Sequence, residues 1–77
     1  MIKVLLFAHL QEEVGTESLS IERSNLTVKS LIQYLEKEYP FQSLQKVMVA
    51  INESYAKEDD LIQDGDVVAF IPPVSGG

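Results

Sequence analysis

A single amphipathic helix is the feature that most limits how this chain can fold. Apolar residues recur at spacings of three and four, which places them in one stripe along a helix. The stripe consists of Val28, Leu31, Ile32, Leu35 and Tyr39. Thr27 stands before it as a typical N-cap, and Pro40 follows it as a residue that ends helices. One such stripe can cover only one apolar face of a sheet.

Short segments with apolar residues at alternate positions predict five strands around this helix. They cover Ile2–Ala8, Glu17–Arg23, Val47–Asn52, Tyr55–Ala56 and Val67–Ile71. Between the first two, Leu10–Val14 predicts one helical turn with Gly15 as its left-handed C-cap. Because this link is short, we expect the first two strands to form a hairpin. Asp64-Gly65-Asp66 predicts a turn just before the last strand.

These elements predict an α+β fold of two layers, in which a mixed β-sheet wraps around one main helix. The simplest packing puts the first and last strands side by side at the sheet centre, which is the β-grasp (ubiquitin-like) arrangement. We expect one β-grasp domain over residues 1–71, because 77 residues leave no room for a second domain. Residues 72–77 then form a flexible C-terminal tail that ends in Gly-Gly.

The first strand carries apolar residues on both of its faces. Its first face holds Ile2, Val4, Leu6 and Ala8, and its second face holds Lys3, Leu5, Phe7 and His9. An antiparallel strand with one solvated face normally shows polar residues there. We therefore expect that this strand is central in the sheet, or that Leu5 and Phe7 meet a partner.

Composition excludes or disfavours several classes of function. The absence of cysteine excludes disulfides, thiolate zinc sites and cysteine nucleophiles. The formal net charge of −6 disfavours nucleic-acid binding. No segment resembles a signal peptide or reaches the ~20 apolar residues of a membrane span. We expect a cytoplasmic protein without nucleic-acid or membrane partners.

Acidic residues concentrate late in the chain. Six of them lie between positions 53 and 66, namely Glu53, Glu58, Asp59, Asp60, Asp64 and Asp66. They form either a solvated face that aids solubility or a surface complementary to a basic partner. The sequence supports both interpretations equally.

No residues are spaced for catalysis by this chain alone. His9 is the only histidine, and there is no Ser/His/Asp spacing, Gly-rich phosphate loop or histidine pair for zinc. Asp64-Gly65-Asp66 lacks the remaining ligand positions of a calcium loop, and Asp59-Asp60 fits a solvated loop better than an acid–base pair. We expect no independent enzyme activity, no metal site and no bound cofactor.

The last six residues, Pro72-Pro73-Val74-Ser75-Gly76-Gly77, predict a narrow extended arm. The prolines stop sheet pairing and favour extended backbone, and the terminal glycines carry no side chain. At roughly 3.3 Å per residue the arm reaches about 20 Å. It is either a frayed end or a segment that threads into a narrow site of another protein. A partner that turned its carboxylate into a mixed anhydride with a nucleotide would let a sulfur nucleophile form a thiocarboxylate.

Three segments resemble the small subunits of molybdopterin synthase, a family of β-grasp sulfur carriers. They are Phe7-Ala8-His9-Leu10-Gln11-Glu12 with Val14-Gly15, then Val49-Ala50-Ile51-Asn52, and finally Leu61 with the stretch from Asp64 to Gly77. The resemblance implies that an E1-like adenylyltransferase adenylates Gly77 with ATP and Mg²⁺, after which a sulfur-donor protein supplies the thiocarboxylate sulfur. It also implies a heterotetramer, in which two small subunits flank a dimer of large ones. There the sulfur passes to cyclic pyranopterin monophosphate in molybdenum cofactor biosynthesis.

The resemblance implies roles for individual residues. Gly77 carries the adenylate and then the thiocarboxylate, and Gly76 gives clearance in the partner's channel. The partner-binding residues it implies are Leu5, Phe7, Phe70, Pro72, Pro73, Val74 and Ser75. For Phe70, a place in the core is an equally good interpretation. Gln11 stands where the family often has arginine, so any pairing of that arginine with an acidic partner group is weakened or replaced here.

Three alternative functions remain open. A sulfur carrier of thiamin thiazole synthesis shares the fold and the Gly-Gly end, although the Pro72-Pro73-Val74-Ser75 approach favours the molybdopterin branch. A ubiquitin-like modifier would use the same activated terminus to join lysines. A plain interaction module would carry the tail without using it.

Overall fold

The computed structural model describes residues 1–39, 44 and 47–72 of the chain. In chain order its elements are β1 (Ile2–Leu6), α1 (His9–Val14), β2 (Ser18–Ile21), β3 (Leu26–Thr27), α2 (Val28–Glu38), β4 (Met48–Ile51), β5 (Ser54–Ala56), β6 (Leu61–Ile62) and β7 (Val67–Ile71). All five predicted strands and the predicted main helix are therefore confirmed, with ends that shift by a few residues.

Both predicted helix caps are confirmed. The hydroxyl of Thr27 accepts a hydrogen bond from the backbone N–H of Ser30 at 3.2 Å, which satisfies a donor in the first turn of α2. Gly15 closes α1 with a φ of 88°, and its N–H donates to the carbonyl of Gln11 at 2.8 Å. Glycine suits this position because the left-handed conformation would strain a residue with a β-carbon.

Five strands form one mixed sheet in the order β2-β1-β7-β4-β5. Strands β1 and β7 run parallel, with Leu5 opposite Ala69, whereas the other neighbouring pairs run antiparallel. The first and last strands are thus adjacent, and β7 occupies the centre of the sheet. This arrangement confirms the predicted β-grasp fold and the hairpin of β1 with β2.

A second, two-stranded sheet was not predicted. Leu26 of β3 pairs with Ile62 of β6, and Thr27 pairs with Leu61. Two residues are too few for an alternating pattern to stand out in a sequence. The pairing is non-local, and it places the start of α2 beside the 57–60 loop. Accordingly, the N–H of Val28 donates to the carbonyl of Asp60 at 3.0 Å.

The core lies between α2 and one face of the large sheet. Helix α2 buries Val28, Leu31 and Leu35. The sheet contributes alternate residues of its two central strands, all at most 1% exposed: Ile2, Val4 and Leu6 from β1, and Val68 and Phe70 from β7. The period of two along a strand brings these side chains to the same face. The predicted stripe of α2 therefore meets the predicted inner face of β1.

Phe70 corrects one of the predicted partner contacts. Its side chain has 0% exposure and belongs to the core cluster beneath α2. Of the two interpretations open for this residue, burial supports the core and leaves no surface for a partner. The reason is the pleat of β7, because Phe70 shares its inward direction with Val68.

Two carboxylates close turns of the same design. The N–H of Asp60 donates to the carbonyl of Lys57 at 3.1 Å, and the Asp60 carboxylate accepts from the N–H of Lys57 at 2.8 Å. Asp66 repeats this reciprocal pair with Gln63, at 3.1 and 2.9 Å. Asp64 pairs instead with the N-terminal ammonium group. Part of the acidic stretch thus stabilises turns, a use that neither sequence interpretation anticipated.

Replacing Phe70 by Leu should lower the free energy of unfolding by about 1–2 kcal/mol, because a well-packed core loses volume. The matched control is Phe7→Leu, the same chemical change at a side chain that is 44% exposed. We expect the control to change stability by less than about 0.5 kcal/mol. Urea unfolding followed by circular dichroism measures both, and equal losses would contradict the burial assigned to Phe70.

Candidate functional site

The sheet face that points away from α2 carries an apolar groove of about 830 Å³. We call this surface the outer face. Its groove is lined by Leu5, Phe7, Ala50, Asn52, Glu53, Tyr55, Val67, Ala69 and Ile71. Ala50 lies opposite Ala69, which lies opposite Leu5, so three adjacent strands contribute to its middle. The two small alanines leave a hollow between larger side chains on either side.

Aromatic side chains flank the hollow. Phe7 follows β1 and is 44% exposed, while Tyr55 lies on the edge strand β5 and is 73% exposed. The structure thus places Leu5 and Phe7 on one outward surface, where the sequence predicted them. Their role as partner contacts stays a prediction. Exposed aromatic rings beside an apolar hollow are typical of a protein-binding surface.

Several residues of the groove were missed by the sequence analysis. Val67, Ala69 and Ile71 alternate with the buried Val68 and Phe70, so the period of β7 was the available signal. The alternation does not stand out in the sequence, because every residue of the segment is apolar and such a run is equally typical of a strand buried on both faces. Only the tertiary structure shows that these residues line an open groove to which neither described helix contributes a residue.

Phe7 is presented by a tight turn between β1 and α1. Ala8 adopts φ 53° and ψ −131°, the first central position of a type II′ turn, which normally holds glycine. The N–H of Leu10 donates to the carbonyl of Phe7 at 3.2 Å and closes the turn. A residue with a β-carbon is strained in this conformation, so the surrounding contacts must hold it there.

The opposite end of the groove is held by Asn52 in the turn between β4 and β5. Asn52 and Glu53 have φ values of 49° and 71°, as a two-residue hairpin turn requires. The Asn52 amide donates to the Asp66 carboxylate at 3.0 Å and accepts from the N–H of Val67 at 3.0 Å. These bonds tie the β4–β5 turn to the start of β7.

Asp66 links this hydrogen-bond network to its own turn. The backbone N–H of Gln63 and the side-chain amide of Asn52 both donate to its carboxylate, and together they lower the pKa of Asp66 from its ordinary value of 3.8. The bond from Gln63 has the larger effect. A carboxylate whose pKa is lower in the folded chain stabilises the fold above the ordinary pKa, and this stabilisation is lost as the pH falls through the folded value.

The tail starts from the centre of the sheet. Strand β7 ends at Ile71, which lies opposite Met48, and Pro72 is buried against the domain. The role of Pro72 as a partner contact stays a prediction. The predictions for Pro73, Val74, Ser75, Gly76 and Gly77 concern residues outside the described part of the chain, and the side chain of His9 also lies outside it.

Within residues 1–39, 44 and 47–72, no three His, Cys, Asp or Glu side chains come together as a metal site. Over the same residues, neither helix has the length and apolar character needed to cross a membrane. What the described surface offers is an apolar groove, whose floor is formed by the strand that leads into the tail.

Replacing Asp66 by Asn should destabilise the fold at pH 7, and this difference from the unchanged chain should shrink as the pH falls below about 3.8. The physical reason is that protonation at low pH makes the native Asp66 side chain neutral, as the asparagine side chain is at every pH. Urea midpoints measured from pH 7 to pH 2.5 test this expectation. Asp59→Asn is the control, because it removes an exposed carboxylate from a neighbouring turn. A difference independent of pH at position 66 would contradict the network.

Known proteins resemble the chain over its whole length. The profile of the ThiS family matches residues 4–77. The molybdopterin synthase sulfur carrier subunit of Escherichia coli (strain K12) is 38% identical, with 100% of both chains covered.

Two solved structures share the fold. Small archaeal modifier protein 1 of Methanosarcina acetivorans has a TM-score of 0.79 at 27% identity, covering 99% of this chain and 95% of its own. Subunits 1 and 2 of the molybdopterin-converting factor of Helicobacter pylori were solved as a complex. One chain of that structure has a TM-score of 0.71 at 24% identity, covering 99% of this chain and 97% of its own.

The sequence match takes in all but the first three residues, and it includes the last three residues of β1, all of β7 and the Gly-Gly end. The β-grasp fold, shared with these solved structures, agrees with the match. The chain therefore belongs to the ThiS family.

Proposed function

We propose that this chain is the sulfur-carrier subunit of a molybdopterin synthase and carries its sulfur on Gly77. The observation that carries the proposal is the double use of β7. Val67, Ala69 and Ile71 of this strand line the groove of the outer face, and the same strand leads into the tail. A partner that binds the outer face therefore holds the base of the tail and can direct its end into an active site.

The proposed chemistry has three steps. In an E1-like adenylyltransferase, the Gly77 carboxylate attacks the α-phosphorus of ATP, assisted by Mg²⁺, and pyrophosphate leaves. A sulfide equivalent from a sulfur-donor protein attacks the acyl carbon, AMP leaves, and a thiocarboxylate remains. The thiocarboxylate sulfur then attacks a carbon of cyclic pyranopterin monophosphate, and an oxygen substituent leaves that carbon. Hydrolysis of the resulting thioester leaves the sulfur on the pterin and returns the Gly77 carboxylate. Glycine at positions 76 and 77 suits each step, since no side chain hinders the acyl carbon.

The proposed partner on the outer face is the large subunit of molybdopterin synthase, in a heterotetramer with two carriers. The Helicobacter pylori protein, which shares this fold, was solved in a complex of subunits 1 and 2. The groove is apolar in its middle, while Glu53 lies at one end and Asp66 bonds the neighbouring Asn52. This pattern favours a partner with an apolar centre and basic residues at its rim. We place this sulfur transfer in the cytoplasm.

Incubation with the activating enzyme, ATP, Mg²⁺ and sulfide should give an intact mass in which one oxygen is replaced by sulfur. Deleting Gly77 should abolish this change and leave the thermal midpoint unaltered. The matched control is Val74→Ala, which alters the tail but keeps its end, and this variant should still gain sulfur. Sulfur uptake by the chain without Gly77 would contradict the proposal.

The same reaction separates the alternative functions. Transfer of the sulfur to cyclic pyranopterin monophosphate in the presence of the large subunit supports the proposal. Transfer only to a thiazole-forming enzyme would support the thiamin pathway instead. Isopeptide-linked conjugates in cell extract would support a modifier, the function named for the Methanosarcina acetivorans protein of similar fold.

A further inference from the structure

We propose that Gln11 is a positioning residue for Phe7: its side-chain amide holds the turn that presents the Phe7 ring on the outer face. The inference rests on the proposed function in one respect, namely that a partner binds this face. It concerns a residue that does not line the groove itself.

Phe7 lies beyond the regular pairing of β1. The ladder between β1 and β7 ends at the pair Leu6 and Phe70, so Phe7 lies one residue past the last paired residue of β1. It is followed by Ala8 in a strained conformation. A turn of this kind keeps its shape only if contacts on both sides hold it.

Gln11 supplies contacts on both sides of that turn. Its side-chain amide donates to the carbonyl of Leu6 at 3.2 Å, just before Phe7. Its backbone N–H donates to the carbonyl of Ala8 at 3.1 Å, just after Phe7. One residue of α1 therefore bonds the peptide group just before Phe7 and the peptide group just after Ala8.

The anchor for these contacts is rigid. Leu10, next to Gln11 in α1, has 0% exposure and fixes the short helix to the core. On the other side, the N–H of Leu6 donates to the carbonyl of Glu17 at 2.9 Å, which fixes the end of β1. The amide of Gln11 joins these two fixed points, and it borders the same surface depression as Phe7.

This arrangement has a consequence for binding. A ring that is held in place loses less conformational freedom when a partner covers it, so affinity depends on the contacts behind it. The side chain at position 11 must reach the Leu6 carbonyl and donate a hydrogen. Glutamine meets both conditions, whereas methionine has a similar length and no donor.

The test is a double-mutant cycle with Gln11→Met and Phe7→Ala, in which the affinity for the large subunit is measured by calorimetry. We expect Gln11→Met alone to weaken binding about fivefold, the size of one typical hydrogen bond. In the Phe7→Ala background the same change should have almost no effect. Glu12→Gln is the control, because it alters an exposed neighbour in α1 without reaching the turn.

A second measurement reports on the turn directly. In Gln11→Met, the amide resonance of Leu10 should shift and the χ1 couplings of Phe7 should move toward rotamer averages, while thermal unfolding remains cooperative. Unchanged affinity in Gln11→Met would overturn the inference. So would an equal loss with and without Phe7, because Gln11 would then contact the partner itself.

The outcomes for the proposed function are distinct. If the unchanged chain binds the large subunit and Phe7→Ala weakens that binding, but Gln11→Met does not, only the positioning role fails. If Phe7→Ala has no effect, the docking surface fails and the positioning role fails with it. If the cycle behaves as expected but no sulfur is gained at Gly77, the sulfur chemistry fails and the positioning role stands.

Discussion

The packing of one helix against one side of a five-stranded sheet is the constraint from which the rest of this structure follows. The stripe of α2 covers the inward residues of β1 and β7, and Phe70 lies fully buried among them. No second described helix is long enough to cover the other side, because α1 has only six residues. The outer face therefore stays open, although two of the strands beneath it carry apolar residues on both sides.

Strand β7 connects the core to the proposed function. Its inward residues anchor it under α2, its outward residues line the groove, and its end leads into the tail. A central strand with partners on both edges is among the last parts of a sheet to open. The base of the tail is thus held by a strand that pairs with β1 on one side and β4 on the other, so the proposed partner surface and the proposed reactive end share one support.

Polar contacts set the two ends of the groove. Asn52 and Asp66 hold the β4–β5 turn against the start of β7, while Gln11 holds the turn after β1. Both turns contain residues with positive φ, a conformation that costs free energy when a β-carbon is present. These residues are Ala8 after β1, and Asn52 and Glu53 between β4 and β5. Strained turns that are fixed by side-chain amides are a reasonable way to shape a surface whose centre consists of small apolar residues.

The sequence by itself determined both helices and the five strands of the large sheet, because helix period, strand alternation, the Thr27 cap and the glycine at position 15 are all local signals. It also indicated the β-grasp fold, since one helix and five strands leave few ways to pack, and it singled out Leu5 and Phe7. Tertiary structure alone decided the β3–β6 pairing, the burial of Phe70 and Pro72, and the bonds of Asn52. These depend on contacts between residues far apart in the chain, or on which side of the sheet the helix lies, and neither is encoded in any short stretch of sequence.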